Sequence, residues 1–278
     1  MAAFSDLNAK VAVVTGGASG MGRGIAAQFK AAGAQVVIAD IEQEALDRTA
    51  KELGVVGFRT DVRQMASVEA LAQAVLDRFG AVHILVNNAG VGPLGRIAEL
   101  SMADWRWVLD VNLYGVIHGV QAFLPHIKRN PQGGHIVSTS SIAGLISGPS
   151  AGPYAVSKFG VVALSEVLAQ ELQEENSPVG VSVLLPGPTR TNISRSTRNR
   201  DDGQGGGLRD VEMEETGLFE IVPWKDPKDI GDIVIEGMAR GDFYIFTHAE
   251  LIEFVHARHD AIEAAADAAV ARFAGAAP

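Results

Sequence analysis

Tyr154 and Lys158 stand four residues apart in YAVSK, at the start of a segment whose apolar spacing predicts a helix over 154–175. On a helix the two side chains share one face. A phenol with an ordinary pKa of about 10 is a weak base near neutrality. An adjacent ammonium favours phenolate and turns the pair into an acid/base couple. Tyr-x-x-x-Lys also arises by chance as an exposed helical pair, so its chemistry depends on what surrounds it.

A second constellation lies near the amino terminus. The strand candidate 10–15 runs directly into TGGASGMG, with Gly16, Gly20 and Gly22 enclosing Ser19 and Met21, and then into an amphipathic helix over 20–32. Glycines there permit a tight turn, let the backbone approach a pyrophosphate, and let the helix pack close to the strand. The helix amino terminus offers free N–H groups and partial positive charge to an anion. The second strand ends in Asp40, about twenty residues on, where a carboxylate accepts from both adenosine ribose hydroxyls and repels a 2′-phosphate. Its neighbour Ile41, like Ser19, supplies no cation to offset that repulsion, which favours NAD over NADP. A dinucleotide accepts hydride while a side-chain base takes the hydroxyl proton. The two constellations together predict interconversion of a secondary alcohol and a ketone.

These residues need a frame that brings them together. Strand candidates fall at 10–15, 34–40, 55–60, 82–87, 134–140, 179–186 and 242–247, and helical spacing fills 20–32, 66–79, 102–129 and 154–175. Such alternation implies parallel strands joined by right-handed crossovers. The strands are continuously apolar, as expected when helices cover both faces. The prediction is an α/β fold, a doubly wound parallel sheet of Rossmann type, forming one domain over 1–278. Residues 192–222 are polar, glycine-rich and then acidic, and follow the sixth strand at the edge where ligands bind. They predict a substrate loop acting as a mobile lid. An alanine-rich helix is expected over about 249–272. Residues 92–96 and 143–153, with Leu145, Ile146 and Pro149, add apolar walls.

Four motifs in order, TGGASGMG, NNAG (87–90), YAVSK (154–158) and PGPTRT (186–191), resemble the short-chain dehydrogenase/reductase family. The resemblance implies a single NAD-binding Rossmann domain, a homotetramer, and a nicotinamide lying near the tyrosine. It assigns Asp61 and Val62 to the adenine, Asn88, Ala89 and Gly90 to the stretch beneath its ribose, and Pro186, Gly187, Thr189 and Thr191 to the nicotinamide amide. The family usually carries valine where this chain has Thr189. Among Ser138, Ser140 and Ser141 it selects Ser141, thirteen residues before the tyrosine, to hold the substrate oxygen. It adds Asn112 as a fourth catalytic member, holding a water that relays protons from the lysine; read alone, an Asn in mid-helix is a solvent-facing residue. The last fifty residues, including GDFYIFTHAE, are similar to the subgroup that contains aryl-ether Cα-dehydrogenases, which points to an apolar or aryl-bearing alcohol.

Composition narrows the alternatives. No cysteine is present, which excludes disulfides and thiolate chemistry. The net charge of −10 disfavours nucleic acid and anionic membrane as partners. No apolar run is long enough to span a bilayer and no signal core precedes the first strand, so a cytoplasmic protein with a small-molecule substrate is expected. His256 and His259 lie three apart but without acidic partners, and no metal is expected. The competing readings are a sugar-nucleotide epimerase or dehydratase, an NADPH-dependent 3-oxoacyl carrier-protein reductase, and a non-catalytic NAD-binding sensor.

Overall fold

The computed structural model describes residues 3–200, 206–211 and 222–274. Seven parallel strands form one sheet: β1 (Val11–Thr15), β2 (Gln35–Asp40), β3 (Val56–Arg59), β4 (Ile84–Asn87), β5 (Gly134–Thr139), β6 (Val179–Leu185) and β7 (Tyr244–Phe246). Their order is β3-β2-β1-β4-β5-β6-β7. The chain winds outward from β1 to β3, then crosses back to lay β4 on the other side of β1. The carboxyl ends of β1 and β4 therefore diverge and leave a crevice, the usual ligand position in such sheets.

Helices α1 (Gly20–Ala31), α2 (Gln43–Leu53), α3 (Met65–Phe79), α4 (Met102–Leu109), α5 (Gly115–Ile127), α6 (Gly152–Glu174) and α7 (Pro227–Arg240) cover the sheet. Alternate side chains of β1 face opposite cores. Ala12 and Val14 pack with Ile25 and Phe29 of α1 and Ile230 of α7. Val11 and Val13 pack with Val75 of α3 and Phe123 and Ile127 of α5. Each such large apolar side chain stabilises the fold by roughly 1.5–3 kcal/mol on burial. This two-sided core explains why the strands lack polar alternation.

Three elements differ from expectation. The segment 102–129 is not one α-helix: a π turn at Asp110–Tyr114 separates α4 from α5. The last helix, α8, is Ile252–Ala274, preceded by a 3-10 turn at Ala249–Leu251. Within the expected loop, Ile193–Asn199 forms a 3-10 helix with Ser194 and Ser196 buried. Residues 206–211 are also packed: Leu208 joins Val91, Trp107 and Val108, and Arg209 bridges Leu94. The rest of the lid, 201–205 and 212–221, lies outside the described residues.

Candidate active site

The glycine turn after β1 is shaped by close approach. Gly16 has φ +64°, and a Cβ there would lie 2.8 Å from Ala89 Cα. A Cβ at Gly22 would lie 2.2 Å from the Gly16 carbonyl oxygen. No side chain fits at either position, so the backbone remains open to a ligand. Ser19 precedes α1 without a side-chain cap, leaving first-turn N–H groups for an anion. The turn is tied to β4 by Thr15 and Asn88. The Asn88 amide donates to the Thr15 carbonyl at 2.9 Å, and the Asn88 and Ala89 N–H groups donate to Thr15 Oγ1 at 2.9 and 3.1 Å.

Asp40 closes β2 with its carboxylate fixed by backbone. Oδ2 accepts from Ala18 N–H at 3.0 Å and Oδ1 from Glu42 N–H at 3.1 Å. Burial pushes its pKa above the ordinary value despite those bonds. Beyond β3, Arg63 grips Asp61 through both carboxylate oxygens at 2.8–3.1 Å. Partial burial alone would raise Asp61, but the guanidinium holds it below the ordinary carboxylate range.

One groove joins these groups along the sheet edge. Gly16, Ser19, Gly20 and Met21 line it beside Asp40 and Ile41; Asp61 and Val62 follow β3; Asn88, Ala89 and Gly90 follow β4; Thr191 closes it from beyond β6. Gly22 supports the turn from behind. Sequence analysis found no cation near Asp40, yet Arg63 and Arg198 also line this groove, brought there by tertiary folding. Bare backbone donors at the turn and a fixed carboxylate at β2 suit a pyrophosphate and a ribose.

The acid/base residues gather past the inner end of the groove. Tyr154 sits in the first turn of α6, which begins with Pro153 at a position that needs no N–H donor. Its hydroxyl hydrogen-bonds Ser141, and Ser141 Oγ accepts from Ala143 N–H at 3.1 Å. One turn later, Lys158 Nζ donates to the Thr139 carbonyl at 3.0 Å and lies 5.5 Å from the Tyr154 ring centre. Burial lowers Lys158 to about 8. Burial raises the Tyr154 phenol, and the Ser141 bond offsets this only in part. The expected lowering by the ammonium is therefore not what the protein alone displays. Desolvation dominates, and the Lys158 ammonium is directed at Thr139 rather than at the phenol oxygen.

Asn112 occupies the π turn and is fully buried, not solvent-facing. Its Oδ1 accepts from Val91 N–H at 2.8 Å, and its Nδ2 donates to the Val91 carbonyl and Ser157 Oγ at 2.9 and 3.2 Å. Ser157 in turn donates to the Tyr154 carbonyl at 2.7 Å. A Cβ placed on Gly90 would lie 3.3 Å from Asn112 Oδ1 and 3.7 Å from Lys158 Nζ. Asn112 and Lys158 thus converge where the groove ends. The Asn112 side chain braces the Val91 segment and, through Ser157, the start of α6.

Pro186, Gly187 and Thr189 lie off the groove wall but beside Ser141, because the Pro186 carbonyl accepts from Ile142 N–H at 3.0 Å. Thr189 Oγ1 donates back to the Gly187 carbonyl at 3.2 Å. A buried chain holds this segment, and sequence reasoning missed it. Gly187 N–H donates to Thr247 Oγ1 at 3.0 Å, Thr247 meets His248 Nδ1 at 2.6 Å, and His248 Nε2 reaches the Pro223 carbonyl at 3.0 Å. Nε2 must donate to that carbonyl, and in the neutral ring Nδ1 then accepts from the Thr247 hydroxyl. Burial lowers its pKa accordingly. Among the described residues no three His, Cys, Asp or Glu side chains gather as metal ligands, and no helix is long and apolar enough to cross a membrane.

The profile of the short chain dehydrogenases matches residues 10–202. A crystal structure of a short-chain dehydrogenase/reductase from Burkholderia phymatum in complex with NAD superposes with a TM-score of 0.87 at 38% identity, covering 94% of this chain and 96% of that one. The C alpha-dehydrogenase of Sphingobium sp. is 32% identical over 267 residues, 93% of this chain and 87% of the relative. The CLA biosynthesis dehydrogenase/reductase of Lactiplantibacillus plantarum is 30% identical over 260 residues, 89% and 91% of the two chains.

Proposed function

The chain belongs to the short-chain dehydrogenase/reductase family, and from that premise we propose that it transfers hydride between NAD and a secondary alcohol or ketone, with Tyr154 as acid and base. The observation that carries the reading is the meeting of the Ser141–Tyr154 hydrogen bond, Lys158 and Asn112 with the inner end of a dinucleotide-shaped groove. Gly16, Ser19, Gly20 and Met21 would hold the pyrophosphate on backbone donors, with Gly22 behind them, and Asp40 would accept from the ribose hydroxyls while Ile41 flanks it. Asp61 and Val62 would meet the adenine, Asn88, Ala89 and Gly90 would lie beneath the ribose, and Pro186, Gly187, Thr189 and Thr191 would meet the nicotinamide end. When bound, NAD supplies the hydride acceptor or donor.

The residues divide the remaining work. Ser141 and Tyr154 hold the substrate oxygen between two hydroxyl groups. In oxidation Tyr154 takes the alcohol proton as hydride leaves the carbinol carbon. In reduction Tyr154 returns a proton to the carbonyl oxygen. Lys158, charged below about pH 8, favours the phenolate form by through-space attraction. The substrate side is apolar, with Leu145 and Ile146 packed around Ile142 next to Ser141. This supports an apolar or aryl-bearing alcohol, as does the likeness to the C alpha-dehydrogenase. The reading includes a homotetramer in the cytoplasm, and light scattering after size exclusion checks the assembly.

Turnover tests the proposal. Protein, NAD⁺ and a panel of aliphatic, aryl and steroidal secondary alcohols are mixed, and absorbance of reduced cofactor is followed. Reduction of NAD⁺ with an aryl or other bulky alcohol is the expected outcome. No turnover in either direction across the panel, with NAD bound, would leave a binding protein in place of an enzyme.

A further inference from the structure

The 3-10 helix Ile193–Asn199 runs along the groove rather than away from it. At its start Thr191 and Ile193 line the inner part, and the Ile193 side chain lies against Gly92. At its end Arg198 and Asn199 reach the opposite bank, two residues past Asp40. There Arg198 donates to Glu42 Oε1 at 2.6 Å, and the Asn199 amide donates to the same oxygen at 3.0 Å. Burial would raise the Glu42 carboxyl, but these two partners hold it below its ordinary value. Arg198 also donates to the Arg195 carbonyl at 2.5 Å, so the guanidinium that crosses the groove also stiffens its own helix. Two further bonds fasten the strap to the body. Gly92 N–H donates to Ser196 Oγ at 3.0 Å, and Thr197 N–H donates to Asp210 at 3.1 Å.

We infer that Glu42, through Arg198 and Asn199, latches this strap across the adenosine half of the groove, so that a bound dinucleotide leaves only when the latch opens. The inference rests on the reading that the groove holds NAD. Glu42 is a positioning residue here: it acts on the cofactor by fixing the strap. The Arg198 and Glu42 side chains are 39% and 33% exposed, so salt screens the pair and its effect is moderate. One shared oxygen takes both donors, so losing Glu42 releases Arg198 and Asn199 together.

The test is the release rate of NADH, measured by stopped-flow displacement from wild type, Glu42→Ala, Arg198→Ala and the double variant. Each single variant is expected to release NADH about two- to fivefold faster, with the double no faster than the quicker single. Wild-type release is expected to accelerate between about 0.05 and about 0.5 M salt, and release from the variants to stay flat. Glu42→Gln keeps an acceptor for Asn199 and falls between wild type and Glu42→Ala. Thermal melts of all variants control for misfolding. Unchanged release, or fully additive effects in the double variant, would overturn the latch, since additive effects mean independent contacts with the cofactor. Failure of wild type to bind NADH at all would overturn the cofactor reading and the latch with it.

Discussion

Tyr154 is held as a neutral phenol by burial, and the chemistry requires that balance to be tipped. Lys158 acts on it through space, its ammonium bonded to the Thr139 carbonyl and 5.5 Å from the ring centre. A positively charged nicotinamide ring held near the phenol would add the missing attraction. The apparent pKa of the Tyr154–Lys158 pair is therefore expected to fall when NAD⁺ binds. Difference absorbance of phenolate, wild type minus Tyr154→Phe, measures it with and without NAD⁺; an unmoved titration contradicts the account. Alcohol oxidation is expected to rise with pH through that pKa, since phenolate is the working form. Asp40 carries the second expectation at this scale. Its carboxylate, fixed by Ala18 and Glu42 N–H groups, repels a 2′-phosphate. NAD⁺ should exceed NADP⁺ in kcat/KM by more than about tenfold, and Asp40→Ala should narrow that ratio. Comparable efficiency of wild type with both cofactors would remove Asp40 from this role.

Asp104 ties α4 to the chain beyond β6, and only its capping-box spacing from Ser101 showed in the sequence. It completes the capping box with Ser101 that starts α4. It also pairs with Arg200 and accepts from Gly207 N–H at 3.1 Å, gripping the chain on both sides of residues 201–205. Burial alone would raise its pKa, but Arg200, Ser101 and Gly207 lower it to about 2. A depressed folded pKa adds stability that is complete above the unfolded value of 3.8 and lost as pH falls toward 2. Asp104→Ala breaks the buried pair with Arg200 and removes the cap of α4, and should cost about 3 kcal/mol, or roughly 5 °C in Tm, by thermal melt at neutral pH. By the same linkage the variant should lose that increment of acid sensitivity between about pH 4 and about pH 2. A melt within about 1 °C of wild type would show the pair to be idle. The π turn holding Asn112 belongs to the same scale. Apolar spacing through 102–129 reads as one helix because a single wider turn barely shifts the pattern.

The whole molecule was legible where local rules and global fold agree. Continuously apolar strands alternating with helical spacing have one strong physical meaning, and a doubly wound parallel sheet follows from them. The closeness of Tyr154 and Lys158 was legible for a related reason: YAVSK places two groups on one helical face whatever the rest does. What stayed hidden depends on long-range meetings. The Thr247–His248–Pro223 chain behind Gly187 joins residues 60 and 25 positions apart, and the Glu42 clasp joins residues 156 and 157 apart. No spacing rule reaches across such distances, although the adjacent Thr247 and His248 after β7 offered a local hint. The direction of the Tyr154 shift was also hidden, since charge proximity is visible in a sequence and desolvation is not. The central claim, that this fold exists to put Tyr154 beside a bound NAD, is tested most directly by Tyr154→Phe. The change removes one oxygen, so NADH binding by fluorescence and the thermal melt should match wild type. Turnover with the best alcohol of the panel should fall by at least about a hundredfold. Retention of more than about a tenth of wild-type activity with intact binding would contradict the assignment of Tyr154 as the acid/base.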